Sequence, residues 1–270
     1  MPVVREAVVD GLFYPAAPAA LRARIVDYLA VVGGGDGAER GSPKLLITPH
    51  AGYEYCGVVA AHGYALLGRG RAHEIERVVM LGPAHRLALD GLAAPRAEAF
   101  ETPLGRVALD GAALAGLDEL PQVRRSERAH EREHSLEVQL PFLQTVLGSR
   151  FSLVPLVVGA AEPEEVAQVL ERLWGGEETL IVISSDFSHY LSYEQAQAAD
   201  RATAQRILAL AADISPQEAC GAHAINGALL AARRHGLVAR LLDLRNSGDT
   251  AGDRDRVVGY GAIVFEERQR

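Results

Sequence analysis

Short runs of branched apolar residues, each bounded by turn residues, alternate along this chain with longer stretches of helical spacing. The runs Lys44–Thr48, Arg77–Leu81, Phe151–Val158, Thr179–Ser184, Arg240–Asp243 and Val257–Phe265 read as strands. Between them, Ala17–Tyr28, Val58–Leu67, Ser135–Leu147, Pro163–Leu173, Tyr193–Ala211 and Pro216–Arg234 read as helices. Strands crossed over by helices define an α/β fold. The strand runs are apolar throughout rather than alternating, which predicts a sheet covered on both faces. The expectation is one α/β domain over residues 1–270, with a largely parallel or mixed sheet flanked by helices.

Local signals sharpen some of these elements. Ser215 offers a capping oxygen ahead of Pro216, and Glu218 falls in the opening turn, a pattern that predicts a helix start there. Cys220 then falls near the N-terminal end of that helix. The glycine-rich stretch Gly33–Gly41 reads as a surface connection, because no GK[ST] follows to make it a phosphate loop.

Composition narrows the function classes. A chain of 270 residues that is 49% hydrophobic can bury a large core. Its apolar runs fall far short of the roughly 20 residues a spanning helix needs, and the N-terminal stretch lacks the apolar core of a signal peptide. The expectation is a cytoplasmic protein without a membrane association. A net charge of −8 with acids and bases intermixed offers no basic stripe for a phosphate backbone, so nucleic acid is not an expected partner. Cys56 and Cys220 lie far apart, and no disulfide framework is expected.

The candidate chemistry sits at strand ends. KLLITPH places His50, RVVMLGPAH places His85, and TLIVISSDFSH places Asp186 and His189, each just after a strand. In open α/β sheets the carboxyl ends of parallel strands converge on a crevice, so these groups can meet in space. Neutral imidazoles gathered there would suit a metal. Asp186, three residues before His189, can orient an imidazole or bind an ion, or it can cap the following helix. In EHSLEVQLPFL, Glu137 lies about one helical turn after His134 and could pair with it, with N-capping by His134 or Ser135 as the competing role. Cys220, in EACGAHAINGALL, would have its thiolate favoured by the positive end of a helix dipole, or would serve as a small buried hydrophobe. Cys56 reads as structural.

The motifs REAVVDGLFYP, TPHAGYEYCG, GPAH, HSLEVQLPFL and SSDFSHY occur in order across nearly the whole chain, and together they resemble the Memo family. That family includes the bacterial and archaeal proteins called AmmeMemoRadiSam system protein B. The resemblance implies a fold similar to class III extradiol ring-cleaving dioxygenases, in which two histidines and a glutamate hold non-haem Fe(II). In Memo proteins the matching pocket holds two histidines and a cysteine, which fall here on His50, His85 and Cys220. His134, Asp186 and His189 would line the same pocket as catalytic groups. Where the family commonly reads CGRxPI, this chain has Ala222 and Ala224 in place of the arginine and the proline.

The implied cofactor is Fe(II), with Cu or Zn as alternatives, since ligand type alone does not separate them. The implied activity is that of a dioxygenase-like oxidoreductase on an unidentified small molecule. Two other readings stand beside it. One is a non-catalytic adaptor that binds a small molecule or peptide in the same pocket, and the other is a zinc hydrolase using metal-activated water. The name of the bacterial relatives also points to a pathway shared with a radical-SAM protein and an AMMECR-type protein. This chain lacks a CxxxCxxC motif and is not itself the radical enzyme.

Overall fold

The structure, a computed structural model, describes residues 3–33, 43–68 and 72–268. The chain opens with β1 (Val4–Arg5), α1 (Pro18–Gly33), β2 (Pro43–Thr48), α2 (Tyr53–Gly68) and β3 (Arg77–Pro83). Short elements follow: β4 (Leu92–Ala94), β5 (Ala99–Thr102), β6 (Gly105–Ala108), α3 (Gly111–Ala115), β7 (Val123–Arg125) and α4 (Glu127–His130). The second half comprises α5 (Leu140–Leu147), β8 (Ser152–Val158), α6 (Pro163–Leu173), β9 (Thr179–Ser184) and β10 (His189–Leu191). It closes with α7 (Tyr193–Leu208), α8 (Ala222–Arg234), β11 (Leu237–Asn246) and β12 (Val257–Glu267).

Among the described residues, nine strands form one mixed sheet in the order β10-β12-β2-β9-β3-β8-β4-β7, with β11 paired to β12. Its centre is parallel, β2 against β9, β9 against β3, and β3 against β8. The long β12 adds to β2 antiparallel. A separate three-stranded sheet joins β1, β5 and β6. The expected mixed α/β architecture is therefore the one observed.

Period-two alternation splits the central strands between two cores. Leu45, Ile47, Val79, Leu81, Ile181 and Ile183 face the layer of α6 and α8. Their neighbours Leu46, Val78, Met80, Leu180 and Val182 face the layer that contains α2 and α5. Every residue of β9 is buried, which is why its sequence shows no polar alternation. Each buried Leu, Ile or Val side chain contributes roughly 1.5–3 kcal/mol relative to exposure.

Three expected helices differ in their starts, and the one expected from Val58 begins already at Tyr53. The Ser135–Leu147 stretch splits into a short 3₁₀ turn, Glu137–Gln139, followed by α5. Pro141 has no N–H to donate to Glu137, and the Leu140 N–H turns back to the Glu137 carbonyl instead. The Pro216–Arg234 helix begins only at Ala222. Ser215 and Glu218 bond each other, but they close an isolated turn and not a helix start. The chain then leaves helical bonding because the Cys220 N–H donates to the Asp186 carbonyl at 3.2 Å. The strands β1, β4, β5, β6, β7 and β10 were not expected; with two to four residues each, they are too short to carry a hydrophobic period. Of the glycine-rich connection Gly33–Gly41, all but Gly33 lies outside the described residues. Among the described residues, no helix is long and apolar enough to cross a membrane.

Candidate metal centre

The parallel strands β2, β3 and β9 end side by side, and the loops that leave them carry His50, His85 and Asp186. The ligand-capable atoms of His50, His85 and His134 lie within 4.8 Å of one another. The rings of His85 and His134 stack at 4.6 Å, and His50 meets them edge-on at 5.2 and 5.5 Å.

Hydrogen bonds around two of these rings determine their tautomers. Ser184 Oγ donates its one proton to the Ser135 carbonyl at 2.6 Å and accepts from Gln139 Nε2 at 2.7 Å. His50 Nδ1 stands 2.9 Å from the same oxygen, so the imidazole must be the donor there. His50 Nε2 is left as an acceptor, its lone pair facing Cys220 Sγ at 3.4 Å. His85 Nδ1 lies 2.9 Å from Glu133 Oε1, and the charged carboxylate can only accept. His85 Nε2 is therefore also a lone-pair donor. This carboxylate-histidine arrangement is the one that metal sites use to orient their ligands.

Burial and charge act on the whole group. Burial holds the His50 pKa well below the ordinary histidine value, helped by His85 and His134. Burial likewise lowers His134 to about 4, against an opposing pull from Glu133. Burial would raise Glu133, but the His85 ring and the amides of Ser135 and His85 bring it down to about 2. Among the described residues, His134 Nδ1 is a buried nitrogen with no hydrogen-bond partner; Glu133 Oε1 lies 3.5 Å away without bonding geometry.

Cys220 joins the group from the turn before α8. Its Sγ stands 3.4 Å from His50 Nε2 and accepts from the Asp186 N–H at 3.3 Å. Its place beside a helix N-terminus does not lower its pKa. Burial, aided by Asp186, pushes the thiol up to about 12. Gly221 permits the close approach: a Cβ there would meet Ser185 Cβ at 2.7 Å and the Ser184 carbonyl at 2.9 Å. Ala222 and Ala224, where an arginine and a proline are common in the family, are both buried in the core.

Asp186 neither orients His189 nor caps a helix. Its Oδ1 accepts the His50 backbone N–H at 2.8 Å, while Ser192 caps α7. Burial raises its carboxyl to about 7, against backbone hydrogen bonds from His50 and Ala51. His189 is exposed, at the start of β10, outside the three-histidine group. It shares with His134 and Asp186 the wall of a cleft of about 660 Å³ that also includes Phe13, Tyr53 and Tyr260.

Glu137 does not pair with His134. It is fully buried and bonded instead to Arg5 Nη1, to the N–H groups of Val8 and Val9, and to the Tyr14 hydroxyl. Glu133, next to His134 in the chain, was missed. Its adjacency to a histidine in REHSLE was the available signal, overshadowed by the helical spacing of Glu137.

Comparison with known proteins agrees with this architecture. The family model described as Memo-like protein matches residues 5–264. A MEMO1 family protein of Methanopyrus kandleri is 36% identical over 280 residues, covering 97% of this chain and 98% of that protein. One from Aquifex aeolicus is 36% identical over 277 residues, covering 97% of this chain and 99% of that protein. The crystal structure of an uncharacterized Escherichia coli protein superposes with a TM-score of 0.52 at 13% identity, covering 82% of this chain and 98% of that one, a likeness of fold alone. With a family match over almost its full length and relatives above 30% identity, this chain belongs to the Memo-like protein family.

Proposed function

We propose that the strand-end cluster is a metal centre in which His50, His85 and Cys220 are the ligands. The observation that carries this reading is the pair of imposed tautomers. Ser184 and Glu133 engage both Nδ1–H groups and leave two neutral Nε2 lone pairs in one cluster. Nitrogen donors with an adjacent thiol suit Fe(II), Cu or Zn, and Fe(II) is the metal of the ring-cleaving dioxygenases whose fold the sequence resembles. His134 is the competing third ligand, favoured by its buried, unpartnered Nδ1 and by its place among the three convergent histidines.

When bound, such an ion supplies redox and Lewis-acid chemistry. The chain's own residues supply the rest. Asp186 anchors the His50 loop, and Glu133 orients His85. His134, held neutral at neutral pH, can take a proton from a substrate in the cleft, with His189 at the same wall as a second acid–base group. The reaction class this supports is a dioxygenase-like oxidation of a small molecule. The cleft, with its aromatic lining of Phe13, Tyr53 and Tyr260, equally suits a binding role for a small molecule or peptide without turnover.

Elemental analysis of anaerobically purified protein tests the ligand set. Stoichiometric metal in the native chain that is lost in His50→Ala and Cys220→Ala supports it. Retention in Cys220→Ala with loss in His134→Ala reassigns the third ligand. Equal metal in all variants overturns the proposal. Oxygen uptake with catechol-like substrates by the iron-loaded protein separates the oxidoreductase from the binding reading.

A further inference from the structure

Arg5, near the start of the described chain, is almost completely buried and reaches three points of one distant loop. Its Nε donates to the His130 carbonyl at 3.1 Å, its Nη2 to the Glu133 carbonyl at 2.5 Å, and its Nη1 to the Glu137 carboxylate. These acceptors are spaced three and four residues apart, on the segment that carries Glu133 and His134. Two are backbone carbonyls at and just beyond the end of α4, where acceptors draw on donors from outside the helix; the His130 carbonyl also accepts the Glu133 N–H at 3.3 Å. A planar guanidinium with five fixed donors can serve all three at once, whereas an ammonium cannot hold the same fork.

The far side of the same hub seats the N-terminal segment. The Glu137 carboxylate accepts from Val8 and Val9 N–H, each at 3.0 Å, and from the Tyr14 hydroxyl at 2.6 Å. The Tyr53 N–H donates to the Phe13 carbonyl at 2.7 Å. Together these bonds place the Phe13 ring edge against His134 at 4.8 Å, where Phe13 also lines the cleft. A buried ion pair is a weak way to stabilise a fold compared with apolar residues of the same volume.

We propose that Arg5 is a positioning residue for the strand-end centre: it templates the His130–Glu137 loop so that Glu133 meets His85 and His134 joins the cluster, and through Glu137 it docks the strap that walls His134. The line of action runs from Arg5 to the Glu133 main chain, through the Glu133 carboxylate to His85 Nδ1. The part concerning ligand affinity rests on the metal reading above; the docking of the strap does not.

The test uses the full chain as Arg5→Lys, Tyr14→Phe and Leu170→Ala variants beside the native protein. Leu170 is a fully buried core residue of α6, and its truncation destabilises the fold without touching the hub. Co(II) affinity is measured by competition with a chromophoric chelator, together with the Co(II) absorption spectrum and the urea stability of each metal-free protein. Arg5→Lys is expected to weaken Co(II) binding about tenfold or more and to alter the spectrum, as loss of an outer-shell support does. Tyr14→Phe should shift both in the same direction by less. Leu170→Ala should keep native affinity and spectrum despite its lower stability. Chymotrypsin should cleave the Phe13–Tyr14 bond of metal-free Arg5→Lys faster than that of the native or Leu170→Ala protein. Native Co(II) affinity and spectrum in Arg5→Lys, or equal losses in Leu170→Ala, would overturn the inference. Failure of the native protein to bind Co(II) would sink the metal reading instead, and unchanged strap protection would then sink the docking role as well.

Discussion

Glu133 and His85 are joined twice: Oε2 accepts the His85 backbone N–H at 2.7 Å, and Oε1 lies 2.9 Å from His85 Nδ1. One carboxylate thus holds both the loop that leaves β3 and the ring it carries. The same Oε1 accepts the Ser135 N–H at 2.9 Å, so three donors converge on the carboxylate. A carboxylate held by three donors stays ionised, consistent with its pKa of about 2.

Glu133→Gln should therefore weaken metal binding about 10–100-fold, because an amide group puts N–H against the N–H donors of His85 and Ser135. Chelator competition on the folded variant reads the effect. Native affinity would show that His85 needs no carboxylate behind it.

Ser184→Ala removes the group that sets the His50 tautomer. It also leaves the Ser135 carbonyl and one Gln139 N–H without that buried partner. The expected cost is about 1–3 kcal/mol in urea unfolding, with a drop in metal affinity. If His50 Nδ1 proves as well ordered by NMR in the variant as in the native chain, the tautomer argument fails.

Gly221→Ala places a Cβ within 3.0 Å of both Ser185 and the Ser184 carbonyl. Since the neighbours include backbone, the strain cannot be relieved by a side-chain rotation. A destabilisation of about 1–3 kcal/mol is expected, with Cys220 displaced from His50. Reaction of the Cys220 thiol with a disulfide reagent should accelerate, and an unchanged rate would show that the turn absorbs the methyl group.

His130, at the end of α4, supplies a pH dependence of its own. Its Nε2 lies 2.9 Å from the Ala93 carbonyl, and burial lowers its pKa from 6.5 to about 4. Above the unfolded value both states are neutral and the stability is fully present. As pH falls through the window from 6.5 to about 4, the unfolded chain takes a proton that the native ring refuses, and stability is lost. The loss attributable to this residue is on the order of 3 kcal/mol once both states are protonated. Urea unfolding of the native chain and His130→Gln across that window checks the sign. The variant should lose less stability on acidification, and a parallel decline in both proteins would refute the assignment.

Five of the six long strands, β2, β3, β8, β9 and β12, were legible because each is a local apolar run that becomes covered on both faces, while β11 was found from a shorter apolar run and stays half-open. The strand-end placement of His50, His85 and Asp186 was legible for the same reason, since a histidine or acid directly after such a run needs only chain continuity to reach the crevice. The family motifs extended that reading to Cys220 and His134. What local spacing could not convey is which groups bond across the fold. Glu137 has the helical offset from His134, yet tertiary contacts more than a hundred residues away in sequence claim it for Arg5, Val8, Val9 and Tyr14. Glu133 takes the role beside His85 because the loop held by Arg5 turns it there.

Residue order alone therefore determined the alternation of strands and helices and the loops on which reactive side chains would lie. Local hydrophobic period and chain connectivity suffice for that. The tertiary structure decided the ring tautomers, the start of α8 after Cys220 and the partner of each buried carboxylate. Those depend on which donors and acceptors meet once water is excluded, and such competition is settled only between segments far apart along the chain.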